Sequence, residues 1–545
     1  MTTSPLLDQG AFRSFRDVLE RAAHIQPDQP FLSDPRPDGC IRTHTAAALH
    51  EEFLQLGEGL LATGLGTAHI AIVSRNCSRY AIALLSILCG DGVVVPIDAQ
   101  APLPLLETLL RQGDADAVFC DQPSLSKVLE AQRHCPRIRT VITLEGRSDG
   151  VLSYEELLAA GKGRSRYRSL EPDPDVLRMI LFSSGTTGAN KGVMLSLTNL
   201  FSDILSILKG EVFTLEKRRI ALVPMHHAAC ICFTLSGIVT GRHNYFCGDL
   251  RDCMTLIRLF RPDRLMVVPM MVDAFYRQIC AASRKAGLPK PDPQLARGLF
   301  GGNLQYISSG GAALRPELIR GMTEAGFSII NIYGTTECGP TIAINLDTAH
   351  DPVSVGPPLP GLEIRLDDTD EDGVGTLCVR GKNIALGYYK DPEATRAVFG
   401  ADGFFNTGDS VRLDEQGRIV HMGRKANTLV LPNGENVNPQ ELEHLICTEM
   451  DYVAEAVVYT ARLQRGKAVS QVLCAGLYIP DPARRADRAR IRADLLRIDW
   501  ELPAYKRIEY AELPDSPFPK TASHKLLRTG LPEDCSQTGI LLTER

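Results

Sequence analysis

Short apolar runs separated by amphipathic stretches fill the first two thirds of the chain. Residues 15–23 carry apolar positions at helical spacing, and 80–88 read as a buried helix. Strand-like apolar runs lie at 70–73, 93–97, 176–182, 220–223, 265–268, 304–308 and 328–332. Glycine, proline or polar residues follow each run, the punctuation of a strand that ends in a loop. Strands alternating with helices predict mostly parallel sheets covered by helices, with ligands bound at the strand ends.

After about residue 351 the pattern changes. Glycines at 356, 361, 373, 375, 381 and 387 cut it into short segments, which predicts a β-rich portion over about 351–424. From about 427, strands at 454–459 and 472–478 mix with helices, one of them an arginine-rich helix over 482–497. The expected fold class is α/β. A large N-terminal domain of mostly parallel, helix-covered sheets with a β-rich subdomain precedes a small α+β C-terminal domain.

Composition narrows this picture. The 545 residues are too many for one ordinary core, and at about 150 residues per domain they amount to roughly three or four core-sized units. Apolar residues at 44% and charged residues at 23% exclude a disordered chain. Lysine plus arginine total 59 against 65 acidic residues, a net charge of −6, which argues against a nucleic-acid partner. No apolar run approaches the ~18 residues of a membrane helix, and residues 1–17 lack a charged-then-apolar leader. A soluble cytoplasmic protein without an integral membrane segment is expected. Fifteen scattered cysteines, with no Cys-x-x-Cys, read as reduced buried thiols.

The densest chemistry is Ser183-Ser184-Gly185-Thr186-Thr187-Gly188-Ala189-Asn190-Lys191-Gly192, directly after an apolar strand. Glycines let backbone amides turn toward an anion, hydroxyls add donors and Lys191 adds mobile positive charge. The composition is that of a phosphate-cradling loop. It is not the Gly-x-x-x-x-Gly-Lys-Ser/Thr loop of NTPases, because Asn190 and Gly192 stand where Gly and Ser/Thr belong. Four more motifs follow in order: Tyr333-Gly334-Thr335-Thr336-Glu337, then Thr407-Gly408-Asp409, then Gly423-Arg424 leading to Asn433-Gly434-Glu435-Asn436-Val437, and last Pro519-Lys520-Thr521-Ala522-Ser523-His524-Lys525.

In this order the five motifs resemble those of the adenylate-forming superfamily, which includes acyl-CoA synthetases, adenylation domains and beetle luciferases. The likeness covers nearly the whole chain. It implies ATP and Mg²⁺ as cofactors, a small-molecule carboxylic acid as substrate, and CoA as the co-substrate thiol. A carboxylate first attacks the α-phosphorus of ATP, and a thiol then attacks the acyl-adenylate. The resemblance places Ser184, Gly185, Thr186, Thr187, Gly188 and Lys191 at the phosphates, with Thr187 among the catalytic residues. It places Glu337 on Mg²⁺ and Thr336 on the α-phosphate. Tyr333 is expected to lie against adenine, opposite Gly310, Gly311 and Ala312, with Asn331 and Gly334 completing the nucleotide site. Asp409 would accept from ribose hydroxyls, and Arg424 would bind ribose or phosphate oxygens. Lys525 would bridge carboxylate and phosphate oxygens as a compact charge on a long stem.

His227, favoured over His226, would border an acyl pocket lined by Ala228, Cys232, Gly311, Gly334 and Thr341. A hinge at 425–427 would join residues 1–424 to a mobile domain at 428–545, and Asn433 and Gly434 would line a thiol tunnel. Three positions depart from the family pattern. Asn190 stands for the usual Pro, Ala426 for Asp or Lys at the hinge, and His524 for Gly.

Ala228-Ala229-Cys230-Ile231-Cys232-Phe233 offers no acid to pair with an amino group, nor the Asn of hydroxybenzoate-activating members. A lipophilic, fatty-acid-like substrate is expected. Leu299-Phe300-Gly301-Gly302-Asn303-Leu304 and the run from Gly423 to Leu431 look like the long-chain fatty acyl-CoA synthetase branch. The acceptor is CoA or a separate carrier protein, which Arg484, Arg485, Arg488, Arg490, Arg492 and Arg497 would meet unless they form a solvated face. Two other readings stand beside this one. One is a free-standing adenylation enzyme that loads a carrier. The other, suggested by the three departures, is a non-catalytic nucleotide-binding regulatory protein. Against the latter, Lys191, Glu337, Asp409, Arg424 and Lys525 are all present.

Overall fold

A computed structural model of the chain describes residues 6, 14–36, 38–184, 190–210, 217–427, 429–431, 436–465, 468–500, 502–520, 526, 528, 530–536 and 538–542. It divides into two compact units. One comprises Met1–Ile364 and Val379–Asn406, the other Arg365–Cys378 and Thr407–Arg545.

Among the described residues the larger unit holds two eight-stranded sheets. The first runs, edge to edge, Gly387–Tyr388, Asn190–Ser196, Leu177–Ser184, Val93–Ile97, His69–Val73, Ala117–Cys120, Thr140–Thr143 and Leu152–Ser153. From Leu177–Ser184 onward its neighbours are parallel. Val93–Ile97 is buried at every position, as a parallel strand covered on both faces must be. The phosphate-loop motif proves to span a β-hairpin. Leu177–Ser184 pairs antiparallel with Asn190–Ser196, with Ser183 opposite Lys191 and Ser184 opposite Asn190.

The second sheet runs Ala343–Asn345, Ser328–Tyr333, Tyr306–Gly310, Arg264–Val267, Arg218–Ala221, His243–Phe246, Pro30–Pro35 and Ile41–Thr45, with antiparallel pairs at its two ends. Every strand expected from the apolar runs in this unit is present, its ends shifted by at most about two residues. Helices Phe15–Ile25 and Ser78–Leu88 also form where the spacing predicts. The largest core packs Phe15, Phe31, Phe53, Tyr80, Leu181 and Phe246.

In the smaller unit, residues 409–413 pair antiparallel with Ile419–Arg424. The hairpin Glu455–Arg465 with Ala468–Tyr478 is extended by Tyr510–Glu512 and Ile540–Leu541. Val437, Leu442, Ile446, Val458, Leu477 and Leu495 form its core. The single arginine-rich helix expected over 482–497 is instead two, Pro482–Ala486 and Arg488–Trp500. They part at Asp487, whose carboxylate accepts from Arg490 N at 3.1 Å. Short acidic side chains favour this capping role over a helix interior. Among the described residues no helix is long and apolar enough to cross a membrane.

Candidate active site

Gly310 ends the strand Tyr306–Gly310 beside Ile332 of the parallel strand Ser328–Tyr333. Gly310, Gly311 and Ala312 therefore share a strand end with Tyr333 and Gly334, where an α/β sheet binds ligands. The glycines have local reasons. A Cβ on Gly334 would sit 2.0 Å from the Pro340 carbonyl oxygen, and Gly311 takes φ +84°. Tyr333 is buried, and Asn331 lies two residues before it on the same strand.

Beyond Tyr333 the chain turns through the short helix Thr336–Cys338. Glu337 is buried. Its Oε2 accepts from the Thr335 hydroxyl, and its Oε1 accepts from the Tyr388 hydroxyl at 2.9 Å. Lys191 Nζ lies 4.8 Å from the centroid of the Tyr388 ring, within cation–π range. Tyr388 thus touches both Glu337 and Lys191, and it belongs to no motif. Its place comes from sheet pairing, because Tyr388 stands opposite Val193 on the strand that carries Lys191. A carboxylate steadied by neutral hydroxyls is a hard oxygen donor of the kind Mg²⁺ takes. Among the described residues no group of three or more His, Cys, Asp or Glu is placed to hold a metal.

His227 precedes the buried apolar helix Ala228–Val239 as its N-cap. The His226 and His227 rings lie 4.1 Å apart. Burial pushes the His226 pKa down to about 4, so this ring is neutral near pH 7. Ala228, Cys232 and Thr341 are buried. The Cys232 thiol donates to the Gly339 carbonyl at 3.1 Å. Thr341 donates through its N–H to Asp203 Oδ1 at 3.0 Å and through its hydroxyl to Oδ2 at 3.2 Å. The local stretch after His227 has no acid, yet helix Leu197–Lys209 brings one against Cys232 from elsewhere in the chain. Nothing near Asp203 in the sequence announces this. Its only signal is an acid on the apolar stripe of an amphipathic helix.

In the smaller unit, Asp409 and Arg424 face each other across the antiparallel pair. Arg424 Nε lies 2.7 Å from Asp409 Oδ1, and His421 Nε2 lies 3.6 Å from the same oxygen. Arg424 also donates to the Thr407 carbonyl at 3.1 Å, while the Thr407 hydroxyl accepts from Asp409 N. The Thr-Gly-Asp and Gly-Arg motifs are therefore one constellation. The six arginines considered for CoA phosphates or a carrier are engaged within their own unit. Arg488 donates to the carbonyls of Thr538 and Gly539, Arg492 to that of Leu541, and the rest pair with aspartates or Glu449. Gly185, Thr186, Thr187, Gly188, Asn433, Gly434, His524 and Lys525 lie outside the described residues, as do the side chains of Ser184 and Ala426.

Comparison with known proteins adds to this geometry. A family model described as AMP-binding enzyme matches residues 19–389. Long-chain-fatty-acid–CoA ligase 6 of Mus musculus is 26% identical over 528 residues, covering 86% of this chain and 74% of that protein. Long chain acyl-CoA synthetase 7, peroxisomal, of Arabidopsis thaliana is 26% identical over 510 residues, covering 83% and 72%. Among solved structures, O-succinylbenzoate coenzyme A synthetase (MenE) of Bacillus subtilis, in complex with ATP and magnesium ion, superposes with a TM-score of 0.75 at 21% identity. That match covers 94% of this chain and 98% of the other.

Proposed function

Because the chain belongs to the family of AMP-binding enzymes, we propose that it is an acid–thiol ligase that joins a lipophilic carboxylic acid to CoA in two half-reactions. In the first, a carboxylate oxygen attacks the α-phosphorus of ATP; an acyl-adenylate forms and pyrophosphate leaves. In the second, the CoA sulfur attacks the acyl carbon; a thioester forms and AMP leaves. The observation that carries this reading is the joint placement of Glu337, Tyr388 and Lys191, which gathers one fixed carboxylate and one cation around a single tyrosine.

Each residue's role follows from its chemistry. Lys191, with the amides and hydroxyls of residues 184–188, holds the phosphates. Glu337 holds a magnesium ion, which when bound neutralises phosphate charge. Tyr333 and Gly310 to Ala312 receive the base, and Thr336 donates toward the α-phosphate. Asp409 receives ribose hydroxyls beside Arg424. Lys525 supplies positive charge where negative charge develops on the crowded phosphorus. Residues 425–427 serve as the pivot between the two half-reactions, and Asn433 and Gly434 line the thiol path.

A fatty-acid-like tail is supported by the apolar helix after His227 and by the two relatives, both named for long-chain acyl activation. The carboxyl group against Cys232, Asp203, is fully buried and already bonded, so it serves the wall and not a substrate amine. CoA is favoured as the acceptor because both relatives are named as CoA ligases or synthetases; the engaged arginines favour neither acceptor. The test is pyrophosphate release from Mg²⁺-ATP by the full chain with a panel of saturated, aromatic and α-amino acids, followed by thioester analysis with CoA. Release with saturated acids of graded length is expected. Release only with amino acids, or with none of the panel, overturns the proposal.

A further inference from the structure

Helix Leu197–Lys209 buries Leu200, Ile204 and Ile207 and, among them, Asp203 at 0% exposure. A carboxylate goes fully inside only with partners. Asp203 has Thr341 on both oxygens, with the side chains of Asn383 and Cys232 in hydrogen-bonding reach. These partners are themselves tied to one turn. Asn383 donates to the carbonyls of Cys338 at 2.6 Å and Thr341 at 3.1 Å. Cys232 donates to the carbonyl of Gly339. One turn earlier on the same helix, Asn199 donates to the carbonyls of Lys382 and Ile384 at 2.9 and 2.8 Å. The segment it holds supplies Ala385 N to the Glu337 carbonyl at 2.8 Å and Tyr388 to the Glu337 carboxylate.

We infer that Asp203 is a positioning residue for the adenylation half-reaction. Its carboxylate anchors Thr341 and, through the turn from Cys338 to Thr341, sets where the Glu337 carboxylate lies. The half-reaction it serves rests on the function proposed above; its effect on nucleotide binding does not.

The anchor is sensitive to charge. Burial pushes the Asp203 pKa up to about 7, against the pull of the Thr341 donors. The titratable group facing it is Cys232 on helix Ala228–Val239. Burial and the Asp203 charge hold that thiol well above its ordinary range, so it stays protonated and a donor. Thr341 and Asn383 carry no charge. Above about pH 7 Asp203 is ionised and accepts from both Thr341 donors. Below it, the acid proton occupies one oxygen and the bond to the Thr341 hydroxyl reverses, so two charge-assisted bonds become neutral ones and the anchor weakens as pH falls.

The test uses the full chain as wild type, Asp203→Asn and Asp203→Leu. Mg²⁺-ATP binding by calorimetry and pyrophosphate release are followed from about pH 6 to about pH 8.5. In wild type, affinity and kcat/KM for ATP should fall on the acid side of that range, by up to about tenfold. Asp203→Asn keeps the shape and the acceptor for Thr341 N–H but mimics the neutral acid. It should hold the wild-type low-pH affinity throughout, and it should melt near wild type at about pH 6 and no lower than wild type at about pH 8, where the ionised buried carboxylate costs stability. Asp203→Leu should bind ATP more weakly at every pH. An Asn variant that keeps the wild-type pH dependence, or a Leu variant that binds ATP as wild type does, overturns the inference. Absence of pyrophosphate release by wild type with every acid would overturn the proposed function, and the calorimetric series would still decide the role of Asp203.

Discussion

Replacing Tyr388 by Phe removes one oxygen and isolates one interaction. The hydroxyl donates to Glu337 Oε1 at 2.9 Å, with Tyr388 6% and Glu337 9% exposed. A hydrogen bond to a charged group is worth about 1.5–3 kcal/mol net, and more of it is felt where water cannot replace the lost donor. The ring survives the change. It keeps its edge contact with Phe399, centroids 5.7 Å apart, and its place 4.8 Å from Lys191 Nζ. If about 1 kcal/mol of the loss falls on stability, Tm drops by about 1 °C for a unit of this size. The remainder falls on the placement of the carboxylate, and about 1.4 kcal/mol there costs about tenfold in kcat/KM for Mg²⁺-ATP. The assay is single-turnover pyrophosphate release across a Mg²⁺ titration, with thermal unfolding alongside. A lowered Tm with unchanged rate and Mg²⁺ dependence would make the bond structural only and refute the reasoning. Tyr388→Leu, which also removes the ring, should cost roughly 2 kcal/mol more in stability.

Three further outcomes are expected. Lys525→Ala should abolish adenylate formation from acid and ATP while sparing thioester formation from a preformed acyl-adenylate; equal loss in both halves counts against its role. Ala426→Pro should slow the second half far more than the first in single-turnover kinetics, because proline fixes φ near −65° and restricts the residue before it; equal rates in both halves would move the pivot elsewhere. Burial raises the Asp499 pKa from 3.8 to about 6. The folded state therefore holds this proton more tightly than the unfolded state, and stability falls as pH rises from about 4 to about 6. Above that window the ionised group costs about 1–2 kcal/mol after allowance for screening. Asp499→Asn keeps an acceptor for Ile508 N, now at 3.0 Å. It should raise the melting temperature at about pH 8 and match wild type near about pH 4; an equal gap at both pH values would refute the assignment.

Periodicity and motif order carried much of this protein. A strand buried on both faces must be apolar at every position, so Val93–Ile97 announces itself in five consecutive residues. A glycine whose Cβ would strike the Pro340 carbonyl must be glycine, so Gly334 is legible as part of a motif. The ordered motifs led to the family because each is a contiguous run whose chemistry is local. The arginine-rich segment misled for the same reason. Helical spacing runs through Asp487, but the backbone there turns and the carboxylate caps the next helix.

What the tertiary structure alone decided is the company each motif keeps. Tyr388 reaches Glu337 across 51 positions, and Asp203 reaches Thr341 across 138. Neither has a signature, since a tyrosine near a strand end and an aspartate on a helix look the same in sequence whether they face solvent or a buried carbonyl. Their burial follows from sheet pairing and helix packing over long chain separations. Once buried, a polar group must be paired, and that requirement, met only in the folded chain, makes the frame around Glu337.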